Sequence, residues 1–216
     1  MRKNAVIFDM DGVISDTQKF HAEVESLILR QYGIEMSPEA ITKRYSGVAD
    51  DVMFIEIFEE NGVNNHPPID KIVMDKWNKM ATVAKGRITA IPHAVDLIRM
   101  LKKEGFRLAI ASASTTIFIR EVLDELTLNE FFDTTVSAQE VKYGKPAPDI
   151  FLLAAKRLEV ELEACIVVED GRSGMIGAKA AGIPCIGLVE DTAEGYPATS
   201  LVTSLDQVTL DLIHSL

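Results

Sequence analysis

Two aspartates, Asp9 and Asp11, follow the apolar run Val6–Phe8 and lie on either side of Met10. Acidic residues are disfavoured inside strands, so two of them at the end of such a run indicate a role outside the strand. Three further segments end in polar side chains that suit similar chemistry. They are Ser112, Lys145 in the loop VKYGKPAPD, and the pair Glu169 and Asp170.

Ligands of open parallel sheets bind beyond the carboxyl ends of the strands. We therefore expect these four carboxylates, the serine and the lysine to converge at one edge of a sheet. Clustered carboxylates repel one another, and some would take up protons at neutral pH unless a cation lies among them. Oxygen ligands favour a hard divalent ion, and Mg²⁺ is the ion that we expect here.

The segments around these positions predict the elements that hold them. Short apolar runs read as strands and alternate with segments of helical spacing, such as residues 93–105. The alternation predicts an α/β fold with a doubly wound, Rossmann-like parallel-sheet core. The predicted strands are AVIFDMDG, FRLAIASAS, FFDTTVSA, ACIVVEDG and IPCIGLVE.

Residues 15–88 break this alternation, because their apolar residues follow the spacing of four successive amphipathic helices. We predict a core domain formed by residues 1–14 and 89–216, and an inserted α-helical cap domain formed by residues 15–88. An insertion at the carboxyl end of the first strand would lie over the edge where ligands of such sheets bind.

Composition narrows the class of protein. The 216 residues carry a net charge of −11, which disfavours nucleic acid as a partner. No apolar run is long enough to span a membrane, and no signal peptide is apparent, so we expect a cytoplasmic protein without membrane contacts. A monomer is the simplest expectation. Cys165 and Cys185 fall in apolar runs and are expected to be buried free thiols rather than a disulfide.

Four motifs in order resemble those of the haloacid dehalogenase superfamily: DMDGV, the serine that closes LAIAS, the lysine of GKPAPD, and the acidic pair of VVEDGRSG. The helical insert is similar to the cap of the group containing β-phosphoglucomutase and phosphoglycolate phosphatase. The resemblance implies a Mg²⁺-dependent phosphatase of a small phosphorylated metabolite, such as a sugar or polyol monophosphate. The alternatives are a sugar phosphomutase and a non-catalytic metabolite-binding protein.

The resemblance also implies roles for residues of the core. Asp9 would attack phosphorus and form an aspartyl-phosphate, and Asp11 would act as general acid and base. Ser112 would donate a hydrogen bond to the phosphoryl oxygens, and Lys145 would neutralise charge. The implied Mg²⁺ ligands are Asp9, the Asp11 carbonyl and Asp170, with Glu169 as a ligand or a supporting group. Gly12 would let the chain turn and expose backbone N–H groups to the substrate, and the implied substrate contacts of the core are Gly12, Ser112, Ala113 and Lys145.

Each motif has a simpler interpretation when it is taken alone. The aspartates can be turn residues, the lysine a solvated loop residue, and the acidic pair charges at a helix N-terminus. Ser112 can cap the helix that starts near Thr115, although Ser114 is the better cap candidate.

The same resemblance implies substrate contacts from the cap. Thr17 and His21 are one helical turn apart and can face the same ligand. The alternatives are that Thr17 is an N-cap and that His21 is a packing residue. Gly47, Val48 and Lys79 complete the predicted substrate contacts, and Lys76 competes with Lys79 for that role.

The loop YSGVADD, residues 45–51, resembles the specificity loop of such caps but has Ala49 and Asp50 where β-phosphoglucomutase has a basic residue. Like charge and desolvation both disfavour an anionic group at this place. We therefore expect a second phosphate to be held poorly, which weakens the mutase hypothesis, unless Arg44 reaches in from the other side.

Overall fold

The computed structural model describes residues 3–45, 48–193 and 195–216. Six strands form one parallel sheet in the order β3-β2-β1-β4-β5-β6. The five predicted strands are present, and the three-residue strand β6 at its edge was not predicted. The strands are β1 (Ala5–Phe8), β2 (Arg107–Ser112), β3 (Thr134–Ser137), β4 (Cys165–Glu169), β5 (Cys185–Leu188) and β6 (Ser200–Val202).

The chain divides into two compact units. One comprises Thr17–Arg87, and the other comprises the residues up to Asp16 together with Ile88–Leu216. The first unit is helical, and in it α1 packs against α2 and α4 while α3 packs against α4. Its helices are α1 (Gln18–Gln31), α2 (Pro38–Tyr45), α3 (Asp50–Glu60) and α4 (Ile69–Ala84).

The second unit contains the sheet and its flanking helices. Helix α7 packs on β1, β2 and β3, and α8 packs on β4 and β5. The predicted doubly wound α/β core is therefore confirmed. The helices of this unit are α5 (Ala94–Lys103), α6 (Thr116–Glu125), α7 (Asp149–Leu158), α8 (Arg172–Ala180) and α9 (Leu210–Ser215).

The central strand β1 has four buried apolar residues because it lies between β2 and β4 with both faces covered. Ile7 pairs with Ala109 on one side and with Val167 on the other. Such a strand has no solvent face, which explains a continuous apolar run instead of an alternating one. Because β1 is a central strand, it fixes the position of the residues that come directly after Phe8.

Two further expectations concern the cysteines and membrane contact. Cys165 and Cys185 lie on the neighbouring strands β4 and β5 as buried free thiols, as predicted. Within the described ranges, none of the helices combines the length and the hydropathy that a membrane span requires.

Candidate active site

The strand order reverses beside β1, because the next strands along the chain are added to one side of it and β4 to β6 to the other. Ligands of doubly wound sheets bind at this switch point. Asp9 follows β1 there, and its N–H donates to the Val168 carbonyl of β4 over 2.9 Å. Glu169 is the last residue of β4, and Asp170 comes next. The topology therefore brings Asp9 beside the acidic pair.

Lys145 lies between two of these carboxylates. Its Nζ donates to Asp9 Oδ1 over 2.5 Å and also to Glu169 Oε1. The three side chains are 8%, 9% and 3% exposed, for lysine, aspartate and glutamate respectively. A buried ammonium without partners would be strongly disfavoured, so this pairing is what allows Lys145 to remain charged. The interpretation of Lys145 as a solvated loop residue is wrong.

Burial dominates the electrostatics of the acidic groups. It raises the pKa of Asp9 well above its usual value, and nearby carboxylates add to the rise while Lys145 opposes it. The pKa of Asp170 rises to about 7, mainly through burial and then through Glu169. Burial lowers the pKa of Lys145, but Asp9 and Glu169 outweigh it, so the net shift is upward. The site is short of positive charge.

Three carboxylates can share a metal ion. One oxygen from each of Asp9, Glu169 and Asp170 lies within 4.8 Å of the others. When all are ionised, these groups and Lys145 carry two net negative charges, the charge that a divalent cation balances. The surroundings of Glu169 are shaped for its carboxylate, since Oε2 accepts from the Gly171 N–H over 2.8 Å. A Cβ on Gly174 would lie 1.7 Å from Oε1.

Asp11 stands on a tight turn after β1. The Met10 carbonyl accepts from the N–H groups of Ile14 and Ser15 over 2.9 and 3.0 Å, and Gly12 has a φ of 90°. Only glycine adopts such a φ readily, so the predicted turn at Gly12 is confirmed. Its own N–H donates to the Ser15 carbonyl over 2.8 Å, however. The turn therefore uses the Gly12 N–H itself, and the expectation that backbone N–H groups at this turn face a substrate remains a prediction.

The carboxylate of Asp11 is directed to two serines. Its Oδ2 accepts from Ser114 Oγ over 2.7 Å and from Ser112 Oγ over 3.3 Å. Among the described residues, the carboxylates that could share a metal ion are therefore Asp9, Glu169 and Asp170, while Asp11 lies near enough to contribute to the raised pKa of Asp9 and of Asp170. Both serines are fully buried, and Ala113 between them is exposed.

The helix cap after β2 differs from the expectation. Thr115, and not Ser114, caps α6, since its Oγ1 accepts from the Phe118 N–H over 3.3 Å. Ser114 is the site residue that the sequence interpretation missed. A serine two residues after a motif serine carries no distinctive signal, and only the path of the loop turns it toward Asp11.

The predicted cap contacts lie in the helical unit. Thr17 is buried at the start of α1, and among the described residues its side chain caps no N–H of that helix. The His21 ring contacts Trp77 edge to face, with ring centroids 5.3 Å apart. Val48 is exposed, and Gly47 lies outside the described residues. Their roles as substrate contacts remain predictions.

The two candidate lysines of α4 have different environments. Lys79 pairs with Asp75 one turn earlier, over 2.5 Å, and is partly exposed. Lys76 is buried, and its Nζ contacts Glu25 Oε1 over 2.5 Å and also Asp50 Oδ1. Helices α1, α3 and α4 are therefore joined by an ion-paired group that we call the buried triad: Glu25, Asp50 and Lys76.

This triad modifies the charge argument for the loop at residues 45–51. Asp50 does not present a bare charge, because Lys76 is bonded to it. The triad still carries one net negative charge. We therefore still expect it to disfavour an anionic group, but less strongly than an unpaired aspartate would. Arg44, the possible compensating cation, is bonded to Glu56 over 2.7 Å and to Glu60.

Comparisons with known proteins agree with this geometry. A phosphorylated carbohydrates phosphatase of Thermotoga maritima is 31% identical over 88% of each chain. The β-phosphoglucomutase of Bacillus subtilis is 29% identical over 97% of this chain and 93% of its own. A crystal structure of β-phosphoglucomutase from Clostridium difficile superimposes with a TM-score of 0.84, at 26% identity over 99% of this chain and 96% of its own. The family model of the haloacid dehalogenase-like hydrolases matches residues 6–188 of this chain. The resemblance of the four motifs is thereby confirmed, and the chain belongs to the haloacid dehalogenase-like hydrolase family.

Proposed function

We propose that this hydrolase is a Mg²⁺-dependent phosphatase that acts on a small sugar or polyol monophosphate through an aspartyl-phosphate on Asp9. The observation that supports this most directly is the contact between the Asp9 carboxylate and the buried Lys145 ammonium, at the switch point of the sheet. Phosphoryl transfer chiefly requires positioning and charge stabilisation, and this group supplies both.

The first half of the reaction would transfer the phosphoryl group to the protein. An oxygen of Asp9 attacks phosphorus, and the bond from phosphorus to the ester oxygen breaks. Asp11 donates its proton to that oxygen as it leaves. Lys145 offsets the negative charge that gathers on the phosphoryl group and on Asp9, and Ser112 donates a hydrogen bond to a phosphoryl oxygen.

The second half would release the phosphate. Asp11, now ionised, takes a proton from a water molecule, and the water oxygen attacks the phosphorus of the aspartyl-phosphate. The bond between phosphorus and the Asp9 oxygen breaks, which frees inorganic phosphate and restores both aspartates. The same two residues therefore complete a cycle in which water is the reactant besides the phosphate ester.

The donor set fits a magnesium ion. Asp9, Glu169 and Asp170 would hold the ion, together with the Asp11 carbonyl, and carboxylate and carbonyl oxygens are the ligands that Mg²⁺ prefers. The net charge of these groups and the close fit of Glu169 against Gly174 support the assignment. A bound Mg²⁺ supplies charge neutralisation for the phosphoryl group beside the acidic cluster.

The substrate class comes from the relatives. The Thermotoga maritima protein acts on phosphorylated carbohydrates by name, and we infer a related substrate here. The unit Thr17–Arg87 would serve as a cap that contacts the substrate and excludes water. The contacts that we propose are Thr17, His21, Gly47, Val48 and Lys79 in the cap, with Gly12 and Ala113 in the core.

A phosphomutase is the second candidate, favoured by the match to the Bacillus subtilis β-phosphoglucomutase over nearly the whole chain. A second substrate hydroxyl would then replace the water. The two functions share every core residue named above. The net negative charge of the buried triad favours the phosphatase, because a mutase must hold a bisphosphate intermediate.

A metabolite panel tests the proposal. The purified protein with Mg²⁺ is incubated with sugar and polyol monophosphates, and free phosphate and isomeric products are both measured. Stoichiometric phosphate without isomer from a sugar 1-phosphate supports the phosphatase, while isomer without phosphate supports the mutase. An inactive protein across the whole panel, with and without Mg²⁺, would overturn both and favour a metabolite-binding protein.

A further inference from the structure

We propose that Ser114 is a positioning residue that fixes the carboxylate of Asp11 for proton transfer. The inference rests on the proposed function, in which Asp11 is the general acid and base. It concerns a different residue from the motif serine, Ser112, and a different step from the binding of the phosphoryl group. Four observations support it.

The first observation is the geometry of the two hydroxyls. Ser114 Oγ lies 2.7 Å from Asp11 Oδ2, the usual distance for a hydrogen bond between oxygens, whereas Ser112 Oγ lies 3.3 Å away. The hydrogen bond from Ser114 is therefore the stronger of the two. Ser112 remains available for another acceptor, in keeping with the role proposed for it.

The second observation is that the Ser114 backbone is held on both sides. Its N–H donates to Ser112 Oγ over 3.0 Å, and its carbonyl accepts from Ser137 Oγ over 2.6 Å. Ser137 is itself part of a capping box with Glu140 at the end of β3. Two strands thus fix the position of one loop hydroxyl, and a supporting group that is itself rigid holds a reacting side chain most effectively.

The third observation is that the hydroxyl has no helix to cap. Thr115 already caps α6. Ser114 is fully buried, and a buried hydroxyl needs a partner, which here is Asp11. The local structure of the chain therefore does not account for this hydroxyl, whereas its contact with Asp11 does.

The fourth observation concerns the oxygen that Ser114 contacts. The hydrogen bond from Ser114 is made to Oδ2 of Asp11, so it fixes the rotation of the carboxyl group and, with it, the direction in which the transferable proton of Asp11 points. Without Ser114 the carboxyl group would rotate more freely and spend less time with that proton directed at the leaving oxygen. Such misplacement costs rate even when the residue and its fold are intact.

The test uses the leaving group of the substrate. A nitrophenolate leaves without protonation, whereas an alkoxide needs an acid. We compare Ser114→Ala with the wild type on p-nitrophenyl phosphate and on the alkyl phosphate that the wild type hydrolyses best, by rapid quench of the first turnover. The expected loss is greater for the alkyl phosphate by roughly tenfold or more, a fraction of what general acid catalysis contributes.

Controls separate positioning from folding. Thr115→Ala removes a neighbouring hydroxyl and a helix cap, at a cost of about 1 kcal/mol in stability, and should leave the ratio of the two rates unchanged. Ser114→Cys keeps the shape of the side chain with a weaker donor, and it should show the same selective loss if the alanine variant folds poorly. An equal loss on both substrates, no loss, or a gain would overturn the proposal.

Asp11→Asn distinguishes failure of the role proposed for Ser114 from failure of the proposed function. If this variant loses alkyl phosphate turnover selectively and Ser114→Ala does not, the role of Ser114 is refuted while the proposed function stands. If Asp11→Asn retains alkyl phosphate turnover, the assignment of the acid fails, and the proposed mechanism fails with it.

Discussion

The carboxylate of Glu169 occupies the space where a side chain on residue 174 would begin. A Cβ on Gly174 would lie 1.7 Å from Oε1 and 2.1 Å from Cδ of Glu169. Glycine weakens a helix interior by about 1 kcal/mol relative to alanine, so helix propensity does not explain a glycine at the third position of α8. The space that Glu169 needs does explain it.

Gly174→Ala should lower both stability and metal affinity. The overlap with Glu169 outweighs the gain in helix propensity, so we expect the free energy of unfolding to fall by about 1–3 kcal/mol. Displacement of the carboxylate should weaken Mg²⁺ binding by about 10–100-fold. Chemical denaturation measures the first effect, and the Mg²⁺ concentration that gives half-maximal activity measures the second.

Glu169→Asp provides the partner for a double-mutant cycle. The shorter side chain withdraws from the added methyl group, so the double variant should be more stable than the sum of the single effects predicts, by about 0.5–3 kcal/mol. Strict additivity would show that the two residues do not compete for the same space.

Asp9→Asn should abolish turnover and keep the fold. An amide does not attack phosphorus, and loss of a nucleophile typically costs about 10⁴-fold or more in kcat. The unfolding midpoint should change little, because the substitution removes one negative charge from a cluster whose net charge is negative. Phosphate release and thermal unfolding are measured together, with Asp96→Asn on the exposed face of α5 as the control. A variant that retains turnover would refute the assignment of the nucleophile.

The pH dependence of stability should report Asp170 when the protein is free of metal. Its pKa is about 7 in the folded protein, through burial and Glu169, and near 3.8 as the ordinary value. Between these values the folded state holds a proton that the unfolded state has lost. Stability contributed by this group is therefore present below pH 4 and is lost as the pH rises towards 7.

The comparison of wild type with Asp170→Asn isolates this effect from that of the other carboxylates. With a chelator present, the variant should gain stability relative to the wild type as the pH rises from 5 to 7.5. With saturating Mg²⁺ the wild type should be stabilised by about 2.7 kcal/mol at a hundredfold excess over the dissociation constant, and the relative gain of the variant should disappear. A difference between the proteins that does not change with pH would show that Asp170 is ionised throughout.

The sheet and the acidic motifs were predictable because each depends on local pattern and on one topological rule. The run at Val6–Phe8 has no polar alternation, which marks a strand covered on both faces, and such a strand delivers Asp9 to the carboxyl edge. The edge strand β6 was missed because three residues give no usable period. The sequence could indicate which residues approach the site, but not how they pair within it.

The missing details are side-chain pairings between distant segments. Ser114 meets Asp11 across 103 positions of the chain, and Lys76 meets Glu25 across 51. No spacing rule encodes such contacts, because they depend on how loops and helices pack after the elements have formed. The same limit explains why Asp50 looked like a bare charge in the sequence and is an ion-pair partner in the structure.

Lys76→Met should strongly destabilise the helical unit. The lysine side chain is 1% exposed and forms ion pairs with two carboxylates from other helices, so its removal leaves Glu25 and Asp50 close together without a cation. Breaking a buried ion pair in this way costs about 3–5 kcal/mol. The single tryptophan of the chain, Trp77, lies next in sequence, so its fluorescence during denaturation reports this unit.

Lys79→Met is the matched control, because it makes the same substitution three residues further along α4. Its partner Asp75 and the lysine itself are 41% and 36% exposed, so solvent screens their interaction and its loss should cost less than about 1 kcal/mol. If both variants unfolded at the same denaturant concentration, the buried triad would contribute no more than a surface ion pair. Glu25→Gln in the Lys76→Met background should recover part of the loss, because it removes one of the two carboxylates left without a partner.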